Sequence, residues 1–362
     1  MDSRFSLRPA AAEAAQRSSA MSSRNDLCNE GVVTQSTGAH QPHSPRRAQG
    51  PACAFWLNPV APFRLDRTVW ALRRRPSNLI DRWDGHVYRR ALAFGEKAIE
   101  VAVTQKGPPD VPRLQVSLTG NRPAAAERVA ITKALERLLG LRLDLRGFYQ
   151  IAVRDSRLGP LAERFRGVKP PRFTTLFEAL ANAIACQQMS LSLGILLLSR
   201  LTENFGLPVQ GSAGPAHAFP RPKDLAGLAP EAFRALGFSR QKGCSLIALA
   251  QAFCDLGTQW EALEAMDNQA VVEHLLELRG VGRWSAEYAL LRGFGRLNVY
   301  PGDDVGARNN LQRWLKLRRP LDYEGVRRIT ARWQPYAGLV YFHMLLDRLA
   351  AAGHLGSEAG AQ

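Results

Sequence analysis

Apolar and polar positions along this chain recur with two different periods, and the change of period divides it. Between Phe63 and Gly120 the alternation has period two, with Ile99, Val101 and Val103 on one face and then Leu114, Val116 and Leu118. Asp84-Gly85 and Gly107-Pro108-Pro109 supply turns, so this stretch predicts antiparallel strands. From Pro123 to about Leu139 the period becomes 3.6. Ile131, Leu135, Leu138 and Leu139 share a face and a proline sits in the first turn, which predicts a helix. Helical spacing continues to the end, most clearly over 141–155, 157–166, 174–203, 228–236, 239–255, 269–278, 283–293, 304–316, 322–333 and 336–351. Breaks rich in Pro and Gly fall at Gly167–Pro171 and Gly206–Pro222, and no repeat of solenoid period is present.

Residues 1–60 are rich in Ser, Ala, Arg, Gln and Pro and hold no period for long. Such a composition cannot bury enough apolar area to offset ordering entropy, which predicts a disordered extension. The expected fold class is α+β: a small antiparallel-sheet N-terminal domain over 61–140, then an all-α core over 141–351, then a flexible tail over 352–362. At 362 residues the chain can bury a large core.

Charge narrows the partner. The formal net charge is +16, carried by 41 Arg and 7 Lys, so a polyanion is the natural ligand. Guanidinium forks suit phosphate geometry, although an Arg-rich, Lys-poor balance can equally record genome composition. Cys28, Cys53, Cys186, Cys244 and Cys254 have neither zinc nor iron–sulfur spacing, which suggests reduced intracellular thiols. The longest strongly apolar run, Leu193–Leu198, is far too short to span a bilayer. The N-terminal residues lack an apolar signal core, and acidic residues such as Asp2 and Glu13 speak against a transit peptide; cytoplasm or nucleoid is the expected location.

The chemistry concentrates near residue 280. Leu278-Arg279-Gly280-Val281-Gly282-Arg283-Trp284-Ser285-Ala286 places a Gly-Val-Gly turn between two helical segments. A helix starting at Arg283 turns free N–H groups and the positive end of its dipole outward, a cradle for one phosphate that reads no base. Glycine lets a second backbone approach closely. Taken alone, the tripeptide is equally an ordinary turn between helices. Beyond it, Tyr300-Pro301-Gly302-Asp303-Asp304-Val305-Gly306 follows a Pro-Gly turn with an acid, Asp304, that can also simply cap the helix starting at Val305.

Leu275, Leu278, Gly280, Val281, Gly282 and Ala286, together with Pro301 to Asp304, resemble the helix-hairpin-helix–Gly/Pro/Asp superfamily of DNA glycosylases. Several blocks are similar to its DNA-3-methyladenine glycosylase II branch: Val168 to Phe173, Phe177 to Leu180, Ala183 to Gln188, Leu236 to Lys242, Asp304 to Arg308 and Arg332 to Tyr336. The likeness runs from about residue 63 to 350, and the first sixty residues have no counterpart in it.

The resemblance implies a monofunctional DNA glycosylase that flips alkylated purines such as 3-methyladenine or 7-methylguanine from duplex DNA. It would hydrolyse the N-glycosidic bond and initiate base-excision repair. Asp304 would be the catalytic carboxylate, steadying a cation-like sugar or orienting water, with Asp303 ranked below it. Trp284 stands where strand-cutting relatives carry a Schiff-base lysine, which closes that covalent route at this position. Trp284, Tyr288 and Tyr336 would line the base pocket, where ring faces attract cationic bases; an aromatic core cluster is the bland alternative. Gln187 and Gln188 belong to a glutamine block near the pocket or else satisfy mid-helix backbone groups. Gly280, Val281, Gly282 and Arg283 would hold DNA. A wedge at Val168 or Pro170 would fill the vacated stack, unless that loop is a plain linker. Arg313, Lys316, Arg318 and Arg319 would add nonspecific phosphate attraction.

No organic cofactor or metal is expected, apart from a monovalent cation on the carbonyls of 277–282. The partner would be double-stranded DNA, bound by a monomer away from membranes. Two rivals stand: a glycosylase for oxidised or deaminated bases, and a noncatalytic helix-hairpin-helix DNA-binding protein.

Overall fold

The computed structural model describes residues 53–119 and 123–355. Its strands are β1 Cys53–Leu57, β2 Arg82–Trp83, β3 Val87–Phe94, β4 Lys97–Lys106 and β5 Arg113–Thr119, in the antiparallel order β1-β5-β4-β3-β2. Val101 lies opposite Leu118 and Val103 opposite Val116, and all four are buried on one face, as their alternation requires. Gly85 and Gly107 take the positive φ that these turns need.

Two expectations fail here. The extension expected over 1–60 ends sooner: Cys53–Leu57 is β1, with Phe55 opposite Val116 and both Phe55 and Leu57 buried. Pairing with β5 gives its backbone partners that a disordered segment lacks. Residues 1–52 of that extension lie outside the described residues. The stretch from Phe63, expected to be β, also begins with a helix, α1 Leu65–Arg73. Leu65, Val69 and Leu72 fall four and three apart, and that stripe is buried in the core beneath the sheet. The next helix, α2 Ala125–Leu139, buries the four residues its spacing predicts and ends at Gly140 in a left-handed cap.

The helical region begins with α3 Arg146–Ala152 and α4 Leu158–Arg164, followed by α5 Leu176–Cys186 and α6 Leu191–Phe205. The single helix expected over 174–203 is thus two helices. Gln187 is extended at the end of α5 and Gln188 is left-handed (φ 53°), while Ser190 caps α6 through the amide of Leu193. A short hairpin, β6 Pro208–Gly211 with β7 Gly214–His217, occupies the Pro/Gly-rich break. Then come α7 Pro222–Leu225, α8 Pro230–Ala235, α9 Arg240–Leu256, α10 Asn268–Leu276 and α11 Arg283–Ala289, the last running into a π-turn at Leu290–Phe294. The chain continues through α12 Val305–Trp314, α13 Tyr323–Thr330 and α14 Ala337–Ala351. Of the tail expected to be flexible, His354 and Leu355 are packed: the His354 ring stacks on Trp70 at 5.6 Å and Leu355 is buried. The rest lies outside the described residues.

A buried polar network ties sheet to helices. Arg90 of β3 pairs with Asp81 at 2.7 Å and with Glu178 of α5, and Tyr88 donates to Asp81. Burial alone would lower the Arg90 pKa, but the charges of Asp81 and Glu178 hold it well above the usual value. Among the described residues no helix is long and apolar enough to cross a membrane.

His343 of α14 is fully buried between Phe148 and Phe165, with one ring nitrogen on the Leu339 carbonyl and Nε2 unpartnered. Burial pushes its pKa from 6.5 down to about 4. Below pH 6.5 the unfolded chain therefore takes a proton that the folded one refuses. Stability should fall by roughly 3 kcal/mol as pH drops from 6.5 to 4, and the slope should end there. His343→Leu should flatten this part of the curve in urea melts across that range. An unchanged slope would assign it to other groups.

Candidate active site

The site begins with a turn. Leu275 and Val281 are buried beside α9 and α11, pinning both arms of the 277–282 hairpin to the core. Val281 also donates its N–H to Leu278 O, so it anchors the hairpin and offers no free donor. Gly280 is left-handed (φ 83°), and a Cβ there would collide with Ser245 of α9. Gly282 differs: a Cβ would meet nothing within 4 Å, so its bare backbone leaves open space at the start of α11. As the first residues of that helix, Gly282, Arg283 and Trp284 have no carbonyl one turn back to bond.

Three side chains tie this hairpin and the adjacent helix break to their surroundings. Gln187 donates to Gly280 O and to Ser285 Oγ, both at 2.8 Å, so the helix break is fastened to the turn. Lys242 of α9 caps the end of α5 by donating to the carbonyls of Ala185 and Gln187. Arg283 pairs with Asp303 and lies 3.9 Å over the Tyr323 ring, joining the hairpin to the Pro301–Asp304 turn.

Asp304 is the N-cap of α12. Its Oδ1 accepts from Ala307 N at 2.8 Å and its Oδ2 from the Trp284 indole at 3.3 Å. Behind it, Glu287 accepts from Gly302 N and from the Tyr323 hydroxyl, and burial raises its pKa. Capping and exposure to the cavity coexist in Asp304, while Asp303 is spent on Arg283.

These groups open into a cavity of about 830 Å³. Trp284, Tyr288, Asp304, Gln187 and Gly282 line it, so the hairpin, the acid and two expected aromatics share one space. The Trp284 and Tyr288 rings sit 5.6 Å apart, tilted by 32°, as residues four apart on one helix face should. Burial pushes the Tyr288 phenol up.

A family model of HhH-GPD superfamily base excision DNA repair proteins matches residues 181–335, which hold the hairpin, Asp304 and most of the cavity wall. These residues, 181–335, belong to the HhH-GPD superfamily. The chain is 28% identical over 296 residues to DNA-3-methyladenine glycosylase 2 of Escherichia coli K12, covering 80% of this chain and 96% of that protein. It is 24% identical over 285 residues to DNA-3-methyladenine glycosylase of Bacillus subtilis 168, covering 78% and 93%. The solved 3-methyladenine DNA glycosylase of Archaeoglobus fulgidus shares the fold, with a TM-score of 0.71 at 24% identity over 82% of this chain and 99% of that one.

Three site expectations need correction. Tyr336 is absent from the cavity wall: it precedes α14 and packs edge-on against Phe148 of α3, where Gly147 leaves room for its hydroxyl. Tyr341 lines the cavity instead, on the α14 stripe that continues with Leu345 and Arg348. Val168 and Pro170 are not a wedge. Both are buried, and their loop is sewn down by Arg64 N to Gly167 O and Lys169 N to the Thr68 hydroxyl. The exposed, left-handed residue on the cavity rim is Gln188. Arg313, Lys316, Arg318 and Arg319 are solvent-exposed at the end of α12 and just beyond it.

Two residues that organise the cavity wall also escaped sequence reasoning. Asn182 of α5, just behind the wall, accepts from Tyr288 and from Arg74. Arg74 itself lines the cavity from the end of α1. The run Arg73-Arg74-Arg75 before Pro76 was the available signal for it, hidden inside a stretch expected to be β.

Proposed function

We propose that the protein is a monofunctional DNA glycosylase that removes alkylated purines from double-stranded DNA and so initiates base-excision repair. One observation carries this reading: a carboxylate, Asp304, faces an aromatic cavity at the mouth of a phosphate-cradling hairpin, with an indole at position 284 in place of an amine. Phosphate binding alone would require neither the acid nor the aromatic wall, which disfavours the noncatalytic rival.

In the proposed mechanism the hairpin amides hold a phosphate of the lesion strand while the damaged nucleotide leaves the stack, at a cost of a few kcal/mol. Gln188 fills the vacancy. Breakage of the C1′–N bond builds positive charge on the sugar, which the Asp304 carboxylate stabilises while water adds to C1′. The Trp284 N–H keeps one carboxylate oxygen aimed. Lys242 of α9 spends its amine on backbone carbonyls, so it does not compete with water. The 277–282 carbonyls suit a monovalent cation in donor type, although Leu278 O and Gly280 O each already accept one hydrogen bond. Such a cation would brace the hairpin. The enzyme would act as a monomer in the cytoplasm or nucleoid.

Purified protein should convert duplexes bearing 7-methylguanine or 3-methyladenine into products that break only after alkali. Strand breaks without alkali would refute monofunctional action, and intact methylpurine duplexes would refute the reading itself.

A further inference from the structure

The cavity wall carries a charge that cation-seeking aromatics do not explain. Arg74 is a non-glycine residue in the left-handed region (φ 60°), only 4% exposed, at the end of α1. A strained backbone of this kind persists where the surroundings enforce it, and it is common at functional sites. Its guanidinium donates to the Tyr288 hydroxyl at 2.9 Å and to Asn182 Oδ1 at 2.7 Å, both neutral, while its buried Nε has no partner. Buried Arg90, by contrast, is met by two carboxylates.

The cavity around Arg74 is rich in cations. Arg75 and Arg348 also line it, whereas of its two acids Asp303 is already paired with Arg283. Tyr288, whose hydroxyl Arg74 engages, lies beside a second buried guanidinium, with Arg292 Cζ 5.7 Å from its centroid. A ring already engaged by one cation is a poorer seat for another.

We infer that Arg74 is a specificity-determining residue for uncharged lesion purines: it hydrogen-bonds an acceptor on the flipped base and stabilises the anion formed as that base departs. The inference rests on the glycosylase reading. When the C1′–N9 bond of an uncharged purine breaks, both bonding electrons go to N9 and the base leaves as an anion. Water oxygen then bonds C1′, its released proton passes by way of Asp304 to solvent, and the purine anion takes up a proton. A fixed guanidinium beside that anion lowers the barrier because it needs no reorientation. A purine alkylated to a cation leaves neutral and gains little from the same charge.

The test compares single-turnover excision of hypoxanthine and 7-methylguanine from otherwise identical duplexes by wild type, Arg74→Gln, Arg74→Gly and Arg74→Lys. Glycine fits the left-handed backbone, so Arg74→Gly remains informative where Arg74→Gln fails to fold. Hypoxanthine excision should fall about 100-fold in the Gln and Gly variants, the scale of losing one oriented donor. Excision of 7-methylguanine should fall only a few-fold, and lysine should restore part of the hypoxanthine rate. Equal losses on both lesions would reduce Arg74 to a prop for Tyr288 and overturn the inference. So would a wild-type protein that excises 7-methylguanine but leaves hypoxanthine intact, a result that spares the glycosylase reading. A wild type inert on both lesions would overturn that reading as well.

Discussion

Asp304→Asn is expected to slow excision of 7-methylguanine by about 100- to 1000-fold, the range associated with losing one fixed electrostatic contact to a charged transition state. The substitution is nearly isosteric, and the amide oxygen can still accept from Ala307 N, so α12 keeps its cap. What disappears is the negative charge, and the new NH₂ would meet the Trp284 N–H donor to donor. Affinity for an undamaged duplex, read by fluorescence anisotropy, should stay within a few-fold because the hairpin is untouched. A variant retaining a tenth of the wild-type rate would move the chemistry elsewhere.

The second large effect concerns stability. Glu178→Ala leaves Arg90 buried beside Asp81 with half its charge compensation gone. Breaking a buried pair from one side costs about 3–5 kcal/mol, and the midpoint of thermal unfolding should fall by on the order of 10 °C. Replacing Arg90 and Glu178 together by methionine should recover little of that loss, because Asp81 then stays buried without its counter-ion. Urea titrations of the wild type and the two variants test the point. A loss below about 1 kcal/mol for Glu178→Ala would mean that Asp81 alone satisfies Arg90.

Sequence patterns exposed the parts of this molecule that local physics determines. The valines and leucines of β4 and β5 alternate because one face is buried, and α2 follows its stripe of Ile131, Leu135, Leu138 and Leu139. The Gly-Val-Gly turn and the acid after Pro301-Gly302 were legible for the same reason, since glycine and a capping carboxylate are required by backbone geometry at those positions.

What escaped depends on distant partners. The break at Gln187-Gln188 lies between two apolar runs that are each good helix, and it is stabilised by Gly280, Ser285 and Lys242, almost a hundred residues away at the furthest. Val168 and Pro170 sit in a Pro-rich stretch that reads as surface loop, yet contacts from Arg64 and Thr68 bury it. Tyr336 and Tyr341 are equally aromatic, and only their angular positions at the start of α14 separate wall from core. Arg74 combined both difficulties, a left-handed residue after a helix hidden within a stretch otherwise made of strands.

The divided duty of Asp304 has an evolutionary corollary. Because one oxygen is moored to the first turn of α12, the other cannot swing away, and the charge waits in place before any nucleotide arrives. A glutamate would carry the same charge on a longer tether with one more free torsion. Under the proposed mechanism the anchor and the reagent are a single side chain, so drift at this position would be penalised twice, once in folding and once in turnover.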